Sequence, residues 1–259
     1  MRRIATAFVA LAFASAAPAA ETVDVALVLA ADVSMSMSED EIAIERAGYA
    51  AALTHETVLR AIAGGRHGRI ALTFFEWAGA ETQRVVLPWT IVDSAESAEA
   101  AARIIREAPA ERARRTSISG AIGFGHDLFA EAAILADRRV IDVSGDGPNN
   151  QGEPVTAARD RAIADGVIIS GLPLMTRGGF SSPFDIAGLD AYYRDCVIGG
   201  PGAFVFPVND WAGFSEAVRR KLVLEIAADE ALIVPAAARE KSDCLIGEKI
   251  WENRGIDWR

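Results

Sequence analysis

Short apolar runs alternate along the chain with stretches whose apolar residues recur every three or four positions. The first run, residues 23–31, sets Asp24, Ala26, Val28, Ala30 and Asp32 on one face and Val25, Leu27 and Leu29 on the other. Apolar residues on both faces predict a strand covered on both sides, as in a parallel sheet. A helix should follow, because Ser38-Glu39-Asp40-Glu41 reads as a capping box, Ile44, Ala47, Ala51, Val58 and Ile62 keep helical spacing, and Gly64-Gly65 closes the pattern. Residues 69–77 and 82–92 are strand-like, and the link Ala78-Gly79-Ala80-Glu81 makes them a hairpin with Pro88 on an edge strand.

The alternation then continues. Asp93 or Ser94 caps an alanine-rich helix ending at Pro109, and a polar loop at 111–117 leads into a helix over 118–136. In that helix Gly120, Gly123 and Gly125 permit close approach to the sheet. Strands are predicted over 139–144, 167–174 and 203–208, and helices over 154–165, 184–195 and 210–227. Strand–helix alternation predicts an α/β fold: a doubly wound, mostly parallel central sheet with one antiparallel edge strand and helices on both faces. Residues 20–227 form that domain, and 228–259 are expected to be a C-terminal appendage packed on it.

Charge and targeting signals narrow the function. Met1-Arg2-Arg3, an apolar stretch at 4–14 and Ala17-Pro18-Ala19 read as a removed signal peptide over 1–19, which predicts a periplasmic or secreted protein with no transmembrane segment after cleavage. Removing Arg2 and Arg3 takes the formal charge from −10 to −12. An acidic surface without a basic, aromatic-lined stripe disfavours nucleic acid, and Arg112, Arg114 and Arg115 read as a solvated loop. Cys196 and Cys244 fit one disulfide of an exported protein, contributing about 4 kcal/mol in the chain-entropy model, with two buried thiols as the alternative.

Three polar loops follow predicted strands or precede a predicted helix at one sheet edge: 32–38, 114–119 and 144–150. In Asp32-Val33-Ser34-Met35-Ser36 alternate side chains point together, so one carboxylate and two hydroxyls converge beyond the strand end, a set suited to a hard divalent cation. Thr116 and Asp146 come from the other two loops. With these five residues the chain resembles the von Willebrand factor A domain family, whose metal-ion-dependent adhesion site combines an Asp-x-Ser-x-Ser loop, a distant Thr and an Asp-Gly after an apolar strand. The likeness covers about residues 23–227. The passages VIDVSGDGPNN at 140–150 and YYRDCVIGGPG at 192–202 resemble more narrowly an exported bacterial domain-of-unknown-function subgroup of that family.

The resemblance implies metal ligation by Asp32, Ser34, Ser36, Thr116 and Asp146. The three hydroxyls would contact the ion, and the acids would bind directly or through water. The implied ion is Mg²⁺, with Mn²⁺ or Ca²⁺ as alternatives, and the implied partner is a protein offering an Asp or Glu carboxylate. Met35 replaces the family's usual glycine, so Met35 and Met37 either form an apolar rim or tuck beneath the loop. Arg114-Arg115 replace the usual glycines before the Thr. Asp142 shares a strand face with Ser144 and Asp146 and is expected to be a buried acid satisfied by backbone donors, with an acid standing behind the metal ligands as the alternative.

No phosphate-binding Gly-rich loop with Lys, His-Glu-x-x-His or nucleophile-elbow motif is present, and His55, His67 and His126 lie away from the three loops. Nothing marks a base for Ser144 as a nucleophile. The alternatives to a binding module are a metal-dependent hydrolase at the same cleft and a domain that keeps the fold without the ion.

Overall fold

The structure, a computed structural model, describes residues 21–176, 184–227 and 241–253. The export signal expected over 1–19, and the parts of the appendage at 228–240 and 254–259, lie outside the described residues. The elements are β1 (Glu21–Asp32), α1 (Glu39–Leu53), α2 (Glu56–Ala63), β2 (Ile70–Trp77), β3 (Gln83–Val92), α3 (Ala95–Glu107), α4 (Ile118–Glu131), β4 (Ile134–Gly145), α5 (Val155–Ala164) and β5 (Val167–Pro173). They are followed by α6 (Leu189–Tyr192), a π-helical turn (Tyr193–Val197), α7 (Phe214–Ala227) and α8 (Ile246–Asn253). Among the described residues no helix is long and apolar enough to cross a membrane.

The sheet order is β3-β2-β1-β4-β5, with every neighbouring pair parallel except β2 and β3. The predicted mixed sheet with one antiparallel edge is therefore what the chain forms. The chain leaves β1 toward β2 and later returns to its other side through β4. That reversal puts the crevice for ligands beyond the carboxyl ends of β1 and β4. The alternation of β1 sorts two cores: Val25, Leu27 and Leu29 pack with α1, α2, α3 and α7, while Val28 and Ala30 pack with α4, α5 and the π-helical turn.

Local chemistry explains most boundaries. Ser38 and Glu41 form the predicted reciprocal capping box at the start of α1, and Ser94 caps α3 through Ser97. The single helix expected over 39–63 is instead two, because the chain turns at Thr54 and His55 restarts it as the N-cap of α2. The helix expected over 118–136 ends at Glu131, and β4 begins at Ile134 and pairs with β1 from Glu21 onward. Backbone pairing has overridden the helical pattern there. Residues 184–195 hold only the short α6 and part of the π-helical turn, and α7 starts at Phe214, with Asp210 capping the approach through the Gly213 N–H. The strand expected over 203–208 is not a full strand but isolated bridges from Val205 and Val208 to the outer edge of β5.

Gly125 lets α4 lie against the sheet, since a Cβ there would stand 3.3 Å from Ile141 Cδ1 and 3.4 Å from Val28 Cγ1. Gly48 does the same between α1 and α7. A Cβ at Gly48 would fall 2.3 Å from Phe214 Cδ1, a buried ring edge with nowhere to go. Gly48→Ala is expected to destabilise by about 1–3 kcal/mol through overpacking. Chemical denaturation checks this, and an unchanged midpoint would mean that α7 accommodates the methyl freely.

Candidate metal centre

Asp32 closes β1 and is fully buried. Its Oδ1 accepts the Ser34 N–H at 2.7 Å, an Asx-type turn that swings the chain away from the sheet. The two serine hydroxyls stand 2.8 Å apart, and Ser36 Oγ donates to Asp146 Oδ1 at 2.8 Å. Asp146 directly follows β4, so the two central strands deliver the two acids to one place. Thr116 enters by its backbone. The Ala113 N–H donates to Val33 O, which lays residues 112–116 beside Ser34, and Thr116 N donates to Asn150 Oδ1 while Asn150 N donates to Thr116 O. The structure thus brings all five sequence-predicted residues to the carboxyl edge of the sheet. Four of them are linked side chain to side chain or through the Asx turn.

Electrostatics shows what this arrangement lacks. Asp32 Oδ2 is buried with no hydrogen-bond partner among the described residues, and burial pushes the Asp32 carboxyl well above its usual range, helped by the negative charge of Asp146. Burial also raises Asp146, to about 6, while its bond from Ser36 opposes the shift. Two neighbouring carboxylates, one with an unsatisfied oxygen, and two hydroxyls in a chain describe a site that a cation would stabilise. The spacing also suits a small ion: oxygens about 2.1 Å from Mg²⁺ at right angles stand roughly 3.0 Å apart, close to the hydroxyl and carboxylate separations present here.

Several neighbours were not foreseen from the sequence. Tyr193 OH is buried and without a hydrogen-bond partner among the described residues, and its phenol is pushed upward by burial and by the charge of Asp32. A Cβ on Gly145 would stand 2.8 Å from Tyr193 OH and 3.0 Å from Asp32 Oδ2, so only glycine lets the carboxylate and phenol approach across the end of β4. Asn149 and Asn150 lock the Thr116 loop to the Asp146 loop, with Asn149 Oδ1 accepting from Ser119 N at 3.0 Å. The signal for these groups lies in the 140–150 and 192–202 passages, in which Asn149, Asn150 and Tyr193 carry no role in the sequence reading.

The two methionines divide. Met35 is 54% exposed beside Ser34 and Ser36, whereas Met37 is buried in the core, so the apolar rim consists of Met35 alone. Arg112 donates to Met35 O at 2.7 Å, and Arg115 adopts a left-handed φ of 78°, a conformation that glycine takes without strain. The Arg loop is therefore part of the site's surround rather than a detached solvated loop.

Asp142 departs from expectation in its partner. Lys221 Nζ of α7, not a set of backbone donors, stands 2.7 Å from Asp142 Oδ1, and the same ammonium pairs with Glu225. Ser144 is fully buried and donates to Glu45, whose carboxyl is driven well upward by burial. A buried hydroxyl beneath the site is a packing element, not a nucleophile open to substrate. Among the histidines, His55 caps α2 and His126 pairs with Asp165 at 3.0 Å, both remote from the five residues.

A second group able to hold an ion, Asp24, His67 and Asp137, has its ligand atoms within 4.8 Å of one another. It lies at the opposite end of the sheet: Asp24 precedes Asp32 on β1 by a stretch about 26 Å long at 3.3 Å per residue. The Asp24 oxygens accept the backbone N–H groups of His67 and Arg69, which fastens the entry to β2.

The sheet order and the covering helices define a von Willebrand factor A-like fold, and comparison with solved structures agrees. The chain is similar to proximal thread matrix protein 1 from the mussel byssus (TM-score 0.57, 15% identity, covering 80% of this chain and 49% of that one). The same mussel protein was solved with a zinc-occupied metal-ion-dependent adhesion site (TM-score 0.54, 15% identity, 80% and 48% covered). It is also similar to a von Willebrand factor type A protein from Catenulispora acidiphila (TM-score 0.51, 17% identity, 79% and 43% covered) and to the pilus adhesin SpaC from Lactobacillus rhamnosus GG (TM-score 0.56, 9% identity, 79% and 31% covered). The chain spans about half the length of the first of these or less. No curated protein matches it. The chain belongs to the family described as Protein of unknown function (DUF1194), whose model matches residues 22–230.

Proposed function

We propose that this domain is an exported binding module that grips an acidic group on a partner protein through a divalent cation of the Mg²⁺ type. Asp32, Ser34, Ser36, Thr116 and Asp146 would hold the ion. The observation that carries this reading is Asp32 Oδ2, a buried carboxylate oxygen without a hydrogen-bond partner among the described residues, near a chain of hydroxyls that ends on a second, half-buried acid. When bound, the ion would supply positive charge directly between the two acids, which suits a carboxylate from outside. Exposed Met35 adds apolar contact around that carboxylate. The zinc seen in the mussel protein's site makes Zn²⁺ an ion to compare with Mg²⁺ and Mn²⁺.

Calorimetric titration of the protein with each ion tests the first half. One equivalent should bind to the wild type, with uptake lost in Asp32→Ala and in Ser34→Ala; a wild type that takes up no ion overturns the reading. Pull-down from cell-envelope extract tests the second half. Capture should need Mg²⁺ and fail with either variant, and capture surviving both a chelator and the substitutions would show that the site is not the binding surface.

A further inference from the structure

We infer that α8 is a disulfide-tethered strap that positions the Thr116 and Asp146 loops, so that the cation affinity of the site depends on the Cys196–Cys244 bond. The inference rests on the metal-binding reading and adds its regulation. The bond is formed in the structure and joins the π-helical turn to a residue just ahead of α8. From there α8 reaches both loops. The Arg115 guanidinium lies 3.5 Å from the centroid of the Trp251 ring, and Phe184 stacks on the same indole with centroids 5.4 Å apart. Arg115 immediately precedes Thr116 and holds the left-handed backbone that an arginine rarely adopts. A contact that fixes its side chain therefore fixes the entry of Thr116.

The second contact is to Asn149. Its Nδ2 donates to Glu248 Oε1 at 2.8 Å and to Glu153 O at 3.1 Å, which orients the amide so that Oδ1 can take the Ser119 N–H. Asn149 N also donates to Tyr192 OH, just before the Tyr193 that faces Asp32. Gly247 passes so close that a Cβ would stand 2.0 Å from Asn149 O. Glu248 and Trp251 are thus positioning residues, acting through Asn149 and Arg115, and neither touches the ion ligands.

An eight-residue helix has little stability of its own in water. The disulfide anchors it two residues before its first turn; without that bond the segment is held by the Ser242 N–H, which donates to Asp195 Oδ2, and by the contacts of α8 itself. Losing the covalent anchor lowers the effective concentration of α8 at the loops. A dithiol reductant can open it. Its thiolate attacks Cys244 Sγ, because Cys244 is half-buried and Cys196 fully so, and the S–S bond breaks to release Cys196 as a thiolate that takes a proton. The reductant's second thiol then displaces Cys244 from the mixed disulfide. The dithiol gives two electrons and becomes a disulfide, and the protein gains two thiols.

The test is Mg²⁺ titration of the full chain, oxidised, reduced with a dithiol, and as the double variant Cys196→Ser/Cys244→Ser. Reduction and the double variant should each weaken Mg²⁺ binding about tenfold, the order expected when a positioning contact is lost. Glu248→Ala and Trp251→Ala should weaken it with the disulfide intact, while Glu248→Gln, which keeps the acceptor oxygen, and Trp251→Phe, which keeps the stacking face, should restore most of the affinity. Equal affinities across all of these overturn the strap. If the oxidised wild type binds no Mg²⁺, the metal reading itself fails, and hydrogen exchange at the amides of 116–120 and 149–151 decides the strap separately. Faster exchange on reduction supports it, and unchanged exchange overturns it.

Discussion

Lys221→Met is expected to lower stability by about 3–5 kcal/mol near pH 7, the range for removing one partner of a buried ion cluster. Lys221, Asp142 and Glu225 are all fully buried between β4 and α7, and one ammonium serves two carboxylates. Burial pushes both acids upward, Glu225 to about 8, with Lys221 working against the shift for each. Methionine keeps the apolar stem but takes from both carboxylates the ammonium they share, leaving Glu225 only the more distant charge of Arg138. The sign follows from linkage. A carboxyl whose folded pKa is raised holds a proton that the unfolded chain has released, so stability falls as pH rises through that window. In the variant both acids move further up, and the deficit should be larger at pH 8 than at pH 5, where both can stand neutral. Urea denaturation of both proteins at the two pH values checks it. An equal deficit at both would place the loss in packing instead of charge.

Asp32→Asn should separate stability from binding. In the ion-free protein the substitution removes a buried charge with an orphaned oxygen while keeping an acceptor for the Ser34 N–H. Ion-free stability at pH 7.5 should therefore rise by about 1–3 kcal/mol, the size of an unsatisfied buried polar group. Saturating Mg²⁺ should stabilise the wild type by about 2.7 kcal/mol at a hundred times Kd and leave Asp32→Asn unmoved. The pH dependence has a defined direction. Asp146, raised to about 6, makes the ion-free wild type lose stability as pH rises from about 4 to 6, by about 3 kcal/mol at 1.36 per unit. The same deprotonation readies the site for a cation, so the Mg²⁺ increment should grow over that interval. Thermal melts with and without Mg²⁺ between about pH 4 and 8 measure both effects, and a wild type indifferent to Mg²⁺ throughout would remove the basis for the metal site.

The parts of this molecule readable from its sequence are those where a local rule and the global fold agree. β1 was legible because both of its faces are apolar, and the start of α1 because Ser38 and Glu41 are a complete reciprocal cap. Asp32, Ser34 and Ser36 were legible because a period of two converges them. What was hidden depended on contacts distant in sequence. Lys221 reads as one more polar position on an amphipathic helix, and only the packing of α7 on β4 takes it to Asp142. The first turns of β4 look helical in isolation and become strand by pairing with Glu21 and Val23. Tyr193 reaches Asp32 across Gly145, a contact between elements far apart in the chain, and neither residue's neighbours announce it.

The two margins of the sheet also decide how the domain can meet other proteins. On one side β3 is interrupted by Pro88 and by register shifts opposite Leu72, Phe74 and Phe75. On the other, the backbone of 199–208 occupies β5: Gly199 exchanges hydrogen bonds with Ile169, Phe204 O and Phe206 N bond Gly171, and Val208 bonds Pro173 and Met175. Among the described residues, a visiting strand therefore meets an occupied margin at β5 and, at β3, an edge interrupted by the missing N–H of Pro88. The β5 side in particular withholds the ladder through which exposed sheets stack edge to edge.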